Sequence, residues 1–160
     1  MSEIRIEVFK GSYSNQDVYN RVLGYISKKS YLGGYGFYLG SNLTIIDQFK
    51  LSEKYSHYRQ PQKIWHFAIT FDRNWHLNDL LHLATFVSSF FKYNYQVFYG
   101  VDYVGQHPHL HFAVNAFSYN PQVPLLNRQN MLDYTTYIQE KLSNAYYPST
   151  VTLQFQGKAD

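Results

Sequence analysis

The hydrophobic and polar positions of this chain switch between the period of a strand and that of a helix. Residues 4–9 read as a short strand closed by Gly11, and Ser14 followed by Asp17 resembles a helix N-terminal capping arrangement. Val18, Val22, Tyr25 and Ile26 then fall at i, i+4, i+7 and i+8, which predicts a helix to about Ser27 with Tyr25 beside its apolar stripe. Residues 31–40, broken by glycines, cannot hold a regular helix and read as a mobile loop carrying aromatic rings. Ser41 is the expected cap of a second helix that closes near Tyr58, before Pro61. Residues 64–71 alternate as a strand on which His66, Ala68 and Thr70 share one face.

From Asn78 and Asp79 onward Leu80, Ala84, Val87 and Phe91 form an apolar ridge that Leu83, Phe86 and Phe90 widen, the mark of a helix packed on a sheet. Residues 96–101 and, after a turn at Gly105, 109–117 read as an antiparallel hairpin at the sheet centre. A last helix over about 128–145 leads to a short closing strand at 151–155. No internal repeat, linker or low-complexity block interrupts this order, so the 160 residues are expected to form one domain.

Composition narrows the chemistry. Without cysteine, a metal site must use nitrogen and oxygen donors, and a reducing compartment suits the chain. Neither a signal-peptide core nor a run of about eighteen apolar residues is present, so the expected setting is the cytoplasm, with no membrane partner. A net charge of +3 permits nucleic-acid binding without demonstrating it. Seventeen tyrosines and twelve phenylalanines say more, since exposed rings are a platform for unpaired bases; the plainer reading is a tyrosine-rich core and surface.

His107, His109 and His111 alternate along the stretch from His107 to Asn115, so on an extended strand their imidazoles point to one face. Several unpaired imidazoles on a half-apolar strand are costly to bury, whereas one divalent ion satisfies two or three of them; the alternative is three solvated or core histidines. Asn115 on the same face is either an amide donor near such a site or an ordinary interior amide. His66 is either a phosphate or ligand contact from the adjacent strand or a buried histidine bonded to backbone, and His57, His76 and His82 read as surface residues.

The order of Tyr25-Ile on the first helix, Trp65-His-Phe-Ala-Ile-Thr-Phe71 on a strand, and Tyr95-Gln-Val-Phe-Tyr-Gly-Val-Asp102 ahead of the histidine strand carries a resemblance. It resembles the nuclease domain of the relaxase/mobilisation family of plasmids and integrative elements, a branch of the HUH endonucleases, over nearly the whole chain. The resemblance implies an α+β fold in which a central five-stranded antiparallel sheet flanked by helices holds a divalent metal. It implies further that Tyr25 attacks single-stranded or hairpin DNA at an origin of transfer, that His109 and His111 are metal ligands, and that accessory mobilisation proteins are partners. The family usually has a histidine seven positions before the first of these two ligands. Here that position is Asp102, either a direct ligand that shifts preference toward manganese or magnesium, or an acceptor that orients a histidine. A second departure is the absence of the C-terminal domains that relaxases commonly carry.

Three readings remain. The first is a relaxase-type strand transferase using Tyr25, with Arg21, Lys28 and Lys29 as phosphate contacts and Tyr31, Tyr35, Phe37 and Tyr38 as stacking rings. Its main rival as nucleophile is Tyr137, four residues before Lys141 on the last helix, the order of rolling-circle replication initiators; Tyr19 and Tyr134 are weaker candidates. The second is a relative that binds DNA without cutting it. The third, a zinc hydrolase of small molecules, leaves the aromatic segment and the Tyr25 helix unexplained.

Overall fold

The structure is a computed structural model that describes residues 2–9, 15–38, 40–73, 75–103 and 107–155. Gly11, Ser14 and Gly105, invoked above for turns and a cap, lie outside the described residues. The fold is α+β. Strands β1 (Glu3–Val8), β2 (Tyr31–Tyr35), β3 (Ile64–Phe71), β4 (Val97–Asp102), β5 (His109–Asn115) and β6 (Thr150–Phe155) form one sheet in the order β2-β4-β5-β3-β1-β6. A π-helix (Tyr19–Leu23) runs into α1 (Gly24–Ser27), and α2 (Ile45–Tyr55), α3 (Leu77–Ser89) and α4 (Arg128–Ala145) complete the helices.

The sheet is six-stranded and mixed, not five-stranded and antiparallel. β6 pairs parallel to β1, Ile4 beside Val151 and Ile6 beside Leu153, while the other neighbours are antiparallel. The sixth strand is β2, in the segment expected to be a mobile loop. It lies along the edge on β4 with Tyr31 opposite Val101 and Tyr35 opposite Val97. Glycine makes this possible rather than preventing it: Gly34 has φ +146, and a Cβ there would stand 1.9 Å from the carbonyl oxygen of Val97.

Period-2 alternation divides the sheet into two unlike faces. Ile4, Ile6, Phe67, Ile69, Tyr99, Val101, Leu110, Phe112 and Val114 point to one face and form the main core with Leu80, Leu83, Ala84 and Val87 of α3 and Met131, Ile138 and Leu142 of α4. Phe67 and Phe112, paired across β3 and β5, stack at 4.6 Å between centroids. Among the described residues, helices cover the opposite face only in part. Val18, Tyr19, Val22, Leu23 and Ile26 from the first helical segment and Phe49 of α2 bury Ile64, Phe98 and Ala113. The rest of that face carries the polar residues His66, Thr70, Asp102, His109 and His111 beside Ala68 and Gly100.

Helix boundaries follow capping more than periodicity. α2 begins at Ile45 because the Thr44 side chain accepts the backbone N–H of Asp47 at 3.1 Å, not at Ser41, whose hydroxyl instead accepts from the N–H of Leu43. It stops at Tyr55, short of the expected Tyr58. Asn127 caps α4 in the same way, accepting from Asn130 N–H at 2.8 Å.

Candidate functional site

Antiparallel register sets the polar rows of the open face. Thr70 of β3, His109 of β5 and Asp102 of β4 lie directly opposite one another, and one step along the strands Ala68, His111 and Gly100 do the same. β1 extends both rows, placing Arg5 beside Thr70 and Glu7 beside Ala68. His66 is a diagonal neighbour of His111, and its Nε2 stands 3.3 Å from Nδ1 of His111, so one ring presents an N–H to the lone pair of the other. Phe9 covers the outer side of His66 at 4.7 Å between centroids. Burial drives both rings to the neutral form, His66 to about 3 with help from the charges of His111 and Lys29, and His111 to about 4 with help from Lys29 and His109 against the opposing pull of Asp102.

The first helix delivers Tyr25 to this pair. Val18, Val22 and Ile26 are buried as their spacing predicts, but the π-helical turn also buries Tyr19 and Leu23. Tyr25 is left 45% exposed, its ring 5.2 Å from that of His111 at an interplanar angle of 88° and 6.0 Å from that of His66. Lys29 is the unexpected member. Read from sequence as a phosphate contact, it has a side chain only 14% exposed, with Nζ 4.2 Å from the Tyr25 ring centroid and 3.5 Å from Oδ2 of Asp102. Tyr25, His66, His111, His109, Asp102 and Lys29 thus gather at one end of one face.

Other candidates fall elsewhere. Asn115 is fully buried, donating to the carbonyl of Phe49 at 3.0 Å and to Oε1 of Gln96 at 2.8 Å, and accepting from Phe117 N–H at 3.1 Å. Both amide donors and the carbonyl are engaged in the interior, four strand positions from His111, the arrangement of the ordinary interior amide that was the alternative to a donor at the site. His107 is exposed at the mouth of a cleft it shares with His109, Thr70, Arg5 and Glu3, and its Nδ1 lies 3.2 Å from the carbonyl of Phe71. Lys28 is exposed, and Arg21 is exposed near Asp17 at 3.8 Å.

The proposed stacking rings are dispersed. Tyr31 and Tyr35 sit opposite Val101 and Val97, so they project from the face that carries α3 and α4, away from the histidines. Phe37 packs edge-on against Phe98 at 5.7 Å, and Tyr38, 79% exposed, is the most exposed ring of the four. Tyr137 is on α4 against Phe90, also across the sheet from the histidines. Arg5, Glu7 and Thr70, which line the open face beside the cluster, were not singled out from sequence, although Arg5 and Glu7 are the polar alternates of β1.

The residues that could hold a divalent ion are His111, a neutral imidazole, His109 beside it, and Asp102, whose carboxylate lies across from His109. Among the described residues no three His, Asp or Glu side chains are drawn together as a metal-binding group; His66 and His111 hydrogen-bond to each other, and Asp102 faces Lys29. Nor, among those residues, is any helix long and apolar enough to cross a membrane. Comparison of the chain with protein-family models, curated proteins and solved structures gave no match.

Proposed function

We propose that this chain is a strand-specific nickase and strand transferase of relaxase type, acting on single-stranded or hairpin DNA at an origin of transfer with Tyr25 as nucleophile. The observation that carries this reading is the meeting of Tyr25 with the His66–His111 pair on one face, while Tyr137 lies on the other. The chemistry is phosphoryl transfer. The Tyr25 hydroxyl loses its proton as its oxygen attacks the scissile phosphorus, the bond to the 3′-oxygen breaks, and that oxygen leaves as a hydroxyl after taking up a proton. The product is a 5′-phosphotyrosine with a free 3′-end. Its bond energy is retained, so attack by a 3′-hydroxyl reverses the step without ATP.

His109, His111 and Asp102 would hold the metal, and when bound the ion supplies Lewis-acid polarisation of the scissile phosphate. The protein's own share is positional. The sheet holds His111 and His66 together, the first helix sets the Tyr25 ring against them, and Lys29 adds a positive charge where a phosphate must approach. Incubation with labelled single-stranded oligonucleotides and manganese, followed by denaturing electrophoresis, tests the reading: a DNA adduct that survives denaturation and is lost in Tyr25→Phe is expected. A second reading, DNA binding without cleavage, is favoured by the engagement of Asp102 with Lys29, and binding with no adduct from either protein would establish it.

A further inference from the structure

Lys29 reaches the site along a path the fold has cleared for it. Its backbone N–H closes the end of α1 on the carbonyl of Ile26 at 3.0 Å, and the next residue, Ser30, bonds to the Val101 carbonyl and turns the chain into β2. Between these anchors the lysine stem crosses β4 at Gly100. A Cβ at that position would stand 2.8 Å from both Cβ and Cγ of Lys29 and 2.9 Å from Ile26, so only glycine lets the stem lie this close to the sheet. The stem ends with the ammonium between the Asp102 carboxylate and the face of the Tyr25 ring.

We propose that Lys29 and a divalent cation compete for Asp102, so that metal enters this site only by displacing a built-in ammonium. The inference rests on the reading of Asp102, His109 and His111 as the ligand set. The Lys29 side chain is only 14% exposed, and Asp102 supplies the counter-charge its ammonium needs there. A divalent ion drawing on the same carboxylate meets the ammonium at short range, where like charges repel with little screening. The Tyr25 ring offers the displaced ammonium a second seat through cation–π attraction, which makes the exchange reversible and keeps Lys29 near the nucleophile in both states. A histidine at position 102 would carry no such charge for Lys29 to hold. The acidic residue and the half-buried lysine therefore form one device that lowers metal affinity.

Manganese(II) titration followed by electron paramagnetic resonance on the full chain tests this without reference to cleavage. The variants are Lys29→Met, Lys29→Arg, Asp102→Asn, the Lys29→Met/Asp102→Asn pair and His111→Ala, each checked by thermal melting. Lys29→Gln replaces Lys29→Met if the latter fails to fold. Lys29→Met is expected to tighten manganese binding at least tenfold, Lys29→Arg to leave it within about threefold of the parent, and the double variant to lose the gain. Equal or weaker affinity in Lys29→Met, with binding that still depends on His111, overturns the competition and leaves the metal site standing. No His111-dependent binding in any variant overturns the ligand set, and the competition with it.

Discussion

The rings of Tyr25 and His111 meet edge to face, 5.2 Å between centroids, although they come from a helix and a strand 86 positions apart in the chain. The contact places a half-exposed phenol over a buried, neutral imidazole. Removing the phenol oxygen leaves the ring contact intact, so Tyr25→Phe is expected to abolish the covalent DNA adduct while changing stability by no more than about 0.5 kcal/mol. Tyr137→Phe, across the sheet, is expected to keep the adduct. Denaturing electrophoresis and thermal melting of both variants check the pair, and loss of the adduct in Tyr137→Phe alone would sink the assignment.

His66 and His111 make stability depend on pH in a stated direction. Burial holds them neutral to about 3 and about 4, whereas in the unfolded chain they titrate near 6.5. Between those values the unfolded state binds more protons, so stability rises with pH across the window and falls as the solution is acidified below about 6.5. Urea unfolding of metal-free protein in chelator is expected to show a loss on the order of 1–2 kcal/mol per ring between pH 7 and pH 5, above the range where most carboxylates titrate. His66→Gln, which keeps a polar partner for His111, is expected to flatten that slope. An unchanged slope would mean that His66 is not held neutral by its burial.

What the sequence revealed was whatever depends on neighbours along the chain. The alternation of residues 64–71 and 109–117 put His66 with Ala68 and Thr70, and His109 with His111, each on one face of its own strand, and the helical spacing of Val18, Val22 and Ile26 turned the first helix toward the sheet. What it hid depends on distant neighbours. Gly34 reads locally as a breaker, yet its function is to let β2 lie against the Val97 carbonyl. The parallel pairing of β6 with β1 joins opposite ends of the chain and leaves no local signature. Lys29 was legible as a basic residue one helical turn after Tyr25, but its partner Asp102 and the gap at Gly100 come from β4.

Asn115 shows the same lesson as a stability prediction. Its side chain bridges Phe49, Gln96 and Phe117, and Gln96 in turn accepts from the Ser52 hydroxyl at 2.7 Å and donates to Gly36, tying α2 and the segment after β2 to the sheet. Asn115→Ala strands the Phe117 N–H in the interior and removes the bonds to the Phe49 carbonyl and to Gln96, at a cost of about 2–3 kcal/mol. Urea unfolding should register that loss, while single-strand affinity of the folded protein stays unchanged. A large loss of affinity with little change in stability would instead make Asn115 a supporting donor for the Tyr25 site.

The aromatic segment gives the last prediction, because the sheet sorts its rings by face. Tyr31 and Tyr35 point toward α3 and α4, Phe37 is wedged on Phe98, and Tyr38 projects into solvent while Gln48 holds its backbone at both ends, accepting from its N–H at 2.8 Å and donating to its carbonyl at 2.9 Å. A ring that is exposed on a fixed backbone is prepaid for stacking, since little entropy remains to be lost when a base settles on it. Tyr38→Ala is therefore expected to weaken binding of a fluorescent single-stranded oligonucleotide by about 1–3 kcal/mol in anisotropy titrations, at a stated and constant salt concentration. Tyr31→Ala and Tyr35→Ala are expected to leave affinity unchanged, since a strand lying on the histidine face does not reach the far side of the sheet. The reverse pattern, loss at Tyr31 or Tyr35 and none at Tyr38, would put the nucleic acid across the α3–α4 face and separate binding from the Tyr25 site altogether.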